Sequence, residues 1–179
     1  MHRLRIISGI YGGRFIEAPK KASVHPMSER MRGALFNMIG NLEGKAVLDA
    51  FAGSGAIGLE AVSRGAQTVT CIEQDRAVMQ TLLQNVESLR ADGVVQTIQA
   101  NVFGWVDSSD DIFDIVIADP PYERVDSTKV VEKLKKYINA SGFMILSHSG
   151  RTEPPRVDGV VVVETRSYAD GTLTFYQSH

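Results

Sequence analysis

The spacing of apolar residues changes several times along the chain, and each change marks an element. Residues 3–8 (RLRIIS) and 14–17 (RFIE) are short β-prone runs around IYGG, whose glycines permit a tight turn, so a hairpin is expected. Pro26 disfavours helix at His25. Ser28 then suits the N-cap of a helix through MRGALFNMI. From residue 46 the pattern alternates. Short apolar strands are expected at 46–50, 67–73, 94–100, 112–118 and 143–148. Helical stretches separate them at GLEAVSRG, at RAVMQTLLQNVESLR behind the capping residue Asp75, and at 127–138. Residues 160–166 and 172–177 are β-prone and flank Tyr-Ala-Asp-Gly, a hairpin turn signal. Strands alternating with helices predict an α/β domain with a mostly parallel sheet covered on both faces, ending antiparallel. The one plausible boundary lies near residues 40–45, dividing a 1–40 extension from a 41–179 domain.

Residues 49–58 read DAFAGSGAIG and match G-x-G-x-x-G, a motif associated with dinucleotide binding. In an open α/β sheet, ligands sit beyond the C-terminal ends of the strands. Asp49, Glu73, Asn101 and Asp119 each fall at or just past such an end, which predicts one shared site. A dinucleotide would bring a pyrophosphate to the helix N-terminus, and Asp49 would repel it. S-adenosylmethionine has no phosphate. Its sulfonium and ammonium are positive, so Asp49 favours the methyl donor. Gly53 and Gly55 allow close backbone approach, and Glu73 suits ribose hydroxyls. The expected cofactor-binding set is Asp49, Phe51, Ala52, Gly53, Gly55, Glu73, Gln74, Asn101, Val102 and Asp119, with no metal.

Composition changes the picture in one respect. Hydrophobic residues make up 44% of the chain and charged residues 22%, ordinary for a globular protein. Cys71 is the single cysteine, which excludes an internal disulfide and a thiolate metal cluster. No apolar run approaches the roughly 20 residues of a membrane span, and MHRLRIISG lacks a signal-peptide core, so a cytoplasmic location is expected. The net charge of −2 conceals an asymmetry. Residues 1–32 carry seven basic and two acidic side chains, a balance of +5; the remainder carries twelve and nineteen, a balance of −7. A basic head on an acidic body suits a polyanionic partner. Arg30 and Arg32 oppose the helix dipole, and an anionic ligand would explain them better than helix stability. The candidate contacts for such a polyanion are Arg3, Arg5, Arg14, His25, Ser28, Arg30 and Arg32.

Asp119-Pro120-Pro121-Tyr122 follows the fourth strand of the alternating region. Two fixed φ angles make a stiff backbone. The Asp119 side chain and the Pro120 carbonyl can both accept hydrogens from one NH₂ group, and Tyr122 can stack on a planar base for about 1–3 kcal/mol. An exocyclic amine is a poor nucleophile because its lone pair is delocalised into the ring. Two acceptors gripping its hydrogens free that pair for in-line attack on a sulfonium methyl. Positioning of this kind is worth roughly 7–11 kcal/mol. The base must first be flipped from its helix.

At these residues the chain resembles a known family. DAFAGSGAIGLEAVSRGA, Ile72-Glu73, ADPPY, RIISGIYGGRFIEAP and SERMRGALFNMIG are similar to the RsmD family of bacterial methyltransferases. The resemblance implies a class I methyltransferase fold with strand order 3-2-1-4-5-7-6. It also implies S-adenosylmethionine as donor, 16S ribosomal RNA as partner, alone or in a 30S particle, and methylation of a guanine exocyclic amine. It carries over Asp49, Gly53, Gly55 and Glu73 as cofactor contacts and Asp119 to Tyr122 as catalytic residues, and it implies that the polyanion contacts of the basic head are RNA contacts. The chain departs from the family at His25-Pro26-Met27, where Arg-Pro-Thr is usual, at Gly12 and at Asn101, where an acid is common. Asn101 can still accept through its amide oxygen. A monomer is expected. Rival readings are an amino methyltransferase for adenine, cytosine or a protein glutamine, a non-catalytic RNA-binding module, and an NAD oxidoreductase.

Overall fold

The computed structural model describes residues 3–19 and 26–179. The head forms a two-stranded antiparallel hairpin, β1 (Arg3–Arg5) with β2 (Phe15–Glu17), followed by α1 (Glu29–Ile39). Ser28 caps α1: its hydroxyl accepts the Met31 N–H at 3.2 Å. Gly40, at φ 79°, ends the helix and donates its N–H to Phe36 O.

The main sheet contains β3 (Ala46–Asp49), β4 (Thr68–Glu73), β5 (Val95–Gln99), β6 (Phe113–Ala118), β7 (Ile138–His148), β8 (Val160–Tyr168) and β9 (Gly171–Ser178). Their order is β5-β4-β3-β6-β7-β9-β8. Counted within this sheet the order is 3-2-1-4-5-7-6, with β9 antiparallel to both neighbours. This is the class I methyltransferase-like arrangement expected above. Helices α2 (Ala56–Ser63), α3 (Arg76–Leu89), α4 (Val102–Trp105) and α5 (Ser127–Leu134) fill the crossovers. Asp75 caps α3 through the Ala77 and Val78 N–H groups, as its position predicts.

Two differences have local causes. The helix expected over 127–138 stops at Leu134 and tightens into a 3₁₀ turn, Lys135–Tyr137. The Tyr137 hydroxyl donates to Val106 O at 2.7 Å, and Ile138 already pairs with Phe113, so β7 begins five residues before its expected start. The four-residue helix α4 was not expected. Asn101 nucleates it by accepting the Phe103 N–H at 2.9 Å.

Two apolar clusters sandwich the sheet. One joins Ile6, Ile16, Met31, Leu35 and Phe36 of the head to Val47, Leu59 and Leu82. The other lies under α4 and α5. The head therefore shares a core with the sheet. Among the described residues, no helix is long and apolar enough to cross a membrane.

Candidate active site

Parallel register brings the ends of β3, β4 and β6 to one edge: Asp49 pairs with Cys71 and with Ile117, two residues before Asp119. The turn after β3 holds Phe51, Ala52 and Gly53, then Gly55 starts α2 at φ 85°. A Cβ on Gly55 would stand 2.4 Å from Leu82 Cδ1. Glycine is needed there for the left-handed turn and for packing of α2 on α3.

Asp49 is fully buried. Its Oδ2 accepts the Gly58 N–H at 2.9 Å, and Oδ1 is buried with no hydrogen-bond partner. Burial pushes its carboxyl up to about 7; the charges of Asp119 and Glu73 push the same way, and the backbone N–H groups of Gly58 and, more weakly, Phe51 oppose them. Each Glu73 oxygen takes one backbone N–H, Gly53 at 3.0 Å and Asp75 at 2.7 Å, which leaves lone pairs for a further donor. Asn101 spends its amide oxygen on the Phe103 N–H and donates its NH₂ to Gln74 Oε1 at 2.8 Å; both side chains are exposed. Ala52 and Val102 are buried beside them.

Asp119 is half-buried, and Pro120 is buried behind it. Burial raises its carboxyl to about 6; Asp170 adds to the rise and the Ser147 hydroxyl opposes it. The Tyr122 hydroxyl meets Ser147 Oγ at 2.6 Å. Burial, helped by Asp119, pushes the phenol up to about 12, so it stays protonated. A Cβ on Gly171 would lie 2.6 Å from that hydroxyl and 3.2 Å from Met31 Cε. Ser147 and Gly171 carry no motif signal: Ser147 sits inside a strand, and Gly171 reads only as a turn glycine.

The head corrects one expectation. Arg32 is 1% exposed and cannot reach RNA. It donates to Arg5 O at 2.6 Å and Met27 O at 3.3 Å, and its Nε lies 4.0 Å from Glu60 Oε2, itself fully buried. Its positive charge answers an internal carboxylate. Glu60 also accepts the Ile7 and Ser8 N–H groups and Arg64 Nε. Arg3 pairs with Glu17, and Arg5 with Glu29, at the surface. Arg14 donates to Ser88 O. Ser28 and Arg30 are exposed. His25 lies outside the described residues. His148 is buried, its Nε2 2.9 Å from Thr174 Oγ1 and its Nδ1 accepting the Gly150 N–H.

The arrangement presents an unneutralised buried carboxylate, a flanking acid with free lone pairs, and a rigid acidic corner bearing an aromatic ring, all at one sheet edge. The orphaned Asp49 Oδ1 fits a cationic ligand group and disfavours a pyrophosphate.

A family model described as "Conserved hypothetical protein 95" matches residues 4–177. The chain belongs to this family, the RsmD family. Within it, Ribosomal RNA small subunit methyltransferase D of Escherichia coli (strain K12) is 40% identical over 123 residues, covering 68% of this chain and 62% of that relative. The match thus spans less than two thirds of that RsmD protein's length. YlbH of Bacillus subtilis (strain 168) is 28% identical over 166 residues, with 89% of this chain and 90% of YlbH covered. The solved structure of yhhF from Escherichia coli superposes with a TM-score of 0.89 at 28% identity, covering 99% of each chain.

Proposed function

We propose that this chain transfers a methyl group from S-adenosylmethionine to the exocyclic N2 amine of a guanine in 16S ribosomal RNA. The carrying observation is the buried Asp49 carboxylate with one unpartnered oxygen, at the same edge as Asp119-Pro120-Pro121-Tyr122. The name of the Escherichia coli relative supports ribosomal RNA as the substrate class.

In this reading Asp49 receives the donor's ammonium, Glu73 receives ribose hydroxyls, and Phe51, Ala52, Gly53, Gln74, Asn101 and Val102 line the adenosine portion. When bound, the donor supplies an electrophilic methyl on a sulfonium. Asp119 and the Pro120 carbonyl accept the two hydrogens of the target amine and hold its lone pair out of the ring. An Asp119 carboxyl near 6 is ionised at neutral pH and offsets positive charge growing on the nitrogen. Tyr122 offers its ring face to the base, with its hydroxyl held by Ser147. Pro121 keeps the corner stiff.

Residues 1–40 act as the RNA-gripping extension on a 41–179 catalytic domain. Arg3, Arg5, Arg14, Ser28 and Arg30 contact phosphates. The protein works as a monomer on 16S RNA, free or in a 30S particle. The test is incubation with labelled donor and unmodified RNA or 30S particles, followed by nucleoside digestion. Label in N2-methylguanosine supports the proposal. Label in adenosine, cytidine or protein glutamine, or no transfer, overturns it.

A further inference from the structure

The apolar side chains of the hairpin divide between its two faces. Leu4 and Ile16 are register partners on the inner face, and Ile16 is buried in the core. Strand alternation turns Arg3, Arg5, Phe15 and Glu17 to the outer face. Phe15 is 57% exposed there and stands directly across from Arg5, with Arg3 on the diagonal. Arg3 Nε bonds Glu17 Oε1 at 3.1 Å, and Arg5 Nε bonds Glu29 Oε1 at 3.1 Å. Phe15 therefore shares the outer face of the hairpin with two arginines, each paired with a carboxylate.

One exposed apolar residue on a surface is ordinary. An exposed aromatic ring that shares one sheet face with two arginines is more specific. One ring offers far less area than a stable protein interface needs, roughly 800 Å² per partner. It does match one planar face, and the guanidiniums match the anionic groups attached to it. A nucleobase with its flanking phosphates has both features. The two ion pairs are exposed to water and weakly held, so phosphates can take the place of the carboxylates. The face is also linked to the site. Glu29, which holds Arg5, opens α1, and Met31 two residues on borders the space beside Gly171 that the Tyr122 hydroxyl also borders.

We propose that Phe15 is a stacking platform for one unpaired nucleobase of the RNA substrate, with Arg3 and Arg5 on its flanking phosphates. This rests on the reading of RNA as substrate. The test measures binding of a labelled single-stranded RNA by wild type, Phe15→Leu and Phe15→Trp, with melting temperature and S-adenosylhomocysteine affinity as controls. Leu keeps apolar bulk and loses the π-face; Trp keeps the face. Phe15→Leu is expected to weaken RNA binding about 5- to 150-fold, Phe15→Trp to retain it, and both controls to stay at wild-type values. Equal RNA affinity in wild type and Phe15→Leu overturns the proposal alone. So does an unchanged RNA affinity with lost attachment to 30S particles, which would make the ring a protein contact. A wild type that binds no RNA removes the substrate reading, and this inference with it.

Discussion

Tyr122 and Ser147 are joined hydroxyl to hydroxyl at 2.6 Å, across 25 residues of chain. The bond fixes the far end of an aromatic ring that nothing else in its tetrapeptide could orient. Loss of one neutral hydrogen bond costs about 0.5–1.5 kcal/mol. Ser147→Ala is therefore expected to lower kcat about 2- to 12-fold, leaving donor Kd unchanged by calorimetry. An unchanged kcat would mean the ring is held by packing alone.

Gly171 makes a related prediction. A methyl group there would stand 2.6 Å from the Tyr122 hydroxyl, too close for any real contact. Gly171→Ala should push the ring off its position and reduce kcat more than Ser147→Ala does, while circular dichroism stays native. Equal activity would place no constraint on Tyr122 from β9.

Asp49 sets opposite demands on stability and binding. Its carboxyl is raised from 3.8 to about 7 by burial. Between these values the unfolded chain releases the proton and the folded protein keeps it, so stability falls as pH rises from about 4 to 7. Ionised Asp49 is the form that attracts a cationic donor, so S-adenosylhomocysteine affinity should rise with pH through about 7. Asp49→Asn preserves an acceptor for the Gly58 N–H and removes the buried charge. It should stabilise the ligand-free protein at pH 8 by on the order of 2–4 kcal/mol in denaturant titration, and weaken ligand binding. A less stable variant at pH 8 would contradict this account of the orphaned oxygen.

Asp119 predicts the shape of the rate profile. An acceptor for the target amine must be ionised, and its carboxyl is raised to about 6. At saturating donor, kcat/KM for RNA should climb as pH rises through about 6. Asp119→Asn should flatten that limb and reduce turnover strongly, with donor affinity nearly unchanged. Loss of donor affinity in step with turnover would assign Asp119 to the cofactor instead.

Arg32 and Arg30 separate structure from recognition. Removing one partner of a buried ion pair costs about 3–5 kcal/mol, and Arg32 and Glu60 are 1% and 0% exposed. Arg32→Ala should depress the melting temperature by many degrees. Exposed Arg30→Ala should leave it within about 0.5 kcal/mol of wild type and weaken RNA binding with a reduced salt slope. The reverse pattern would restore Arg32 as a ligand contact.

The fold was legible because its signals are local. β3 and β4 end in Asp49 and Glu73, Asp119-Pro120-Pro121 follows the last residue of β6, and the three strands deliver Asp49, Glu73 and Asp119 to one edge. Asp75 and Ser28 cap the helices they precede. The illegible parts depend on partners far along the chain. Arg32 looked like a ligand residue because Glu60, its counter-charge, is 28 positions away on another helix. That Gly55 must also be a glycine to let Leu82 of α3 pack against it depends on a residue 27 positions away. Ser147 lies in an apolar strand, and no pattern of spacing connects it to Tyr122.

Every residue of α2 is buried, from Ala56 to Ser63. Its first turn supplies the Gly58 N–H to Asp49, and its last half supplies Glu60 and Ser63 to the backbone of residues 7–11. This short rod has no free side on which mutations could accumulate unnoticed. Substitutions on the hairpin's outward face leave this rod untouched, whereas any shift of the rod would disturb the hairpin backbone and the Asp49 carboxylate at the same time.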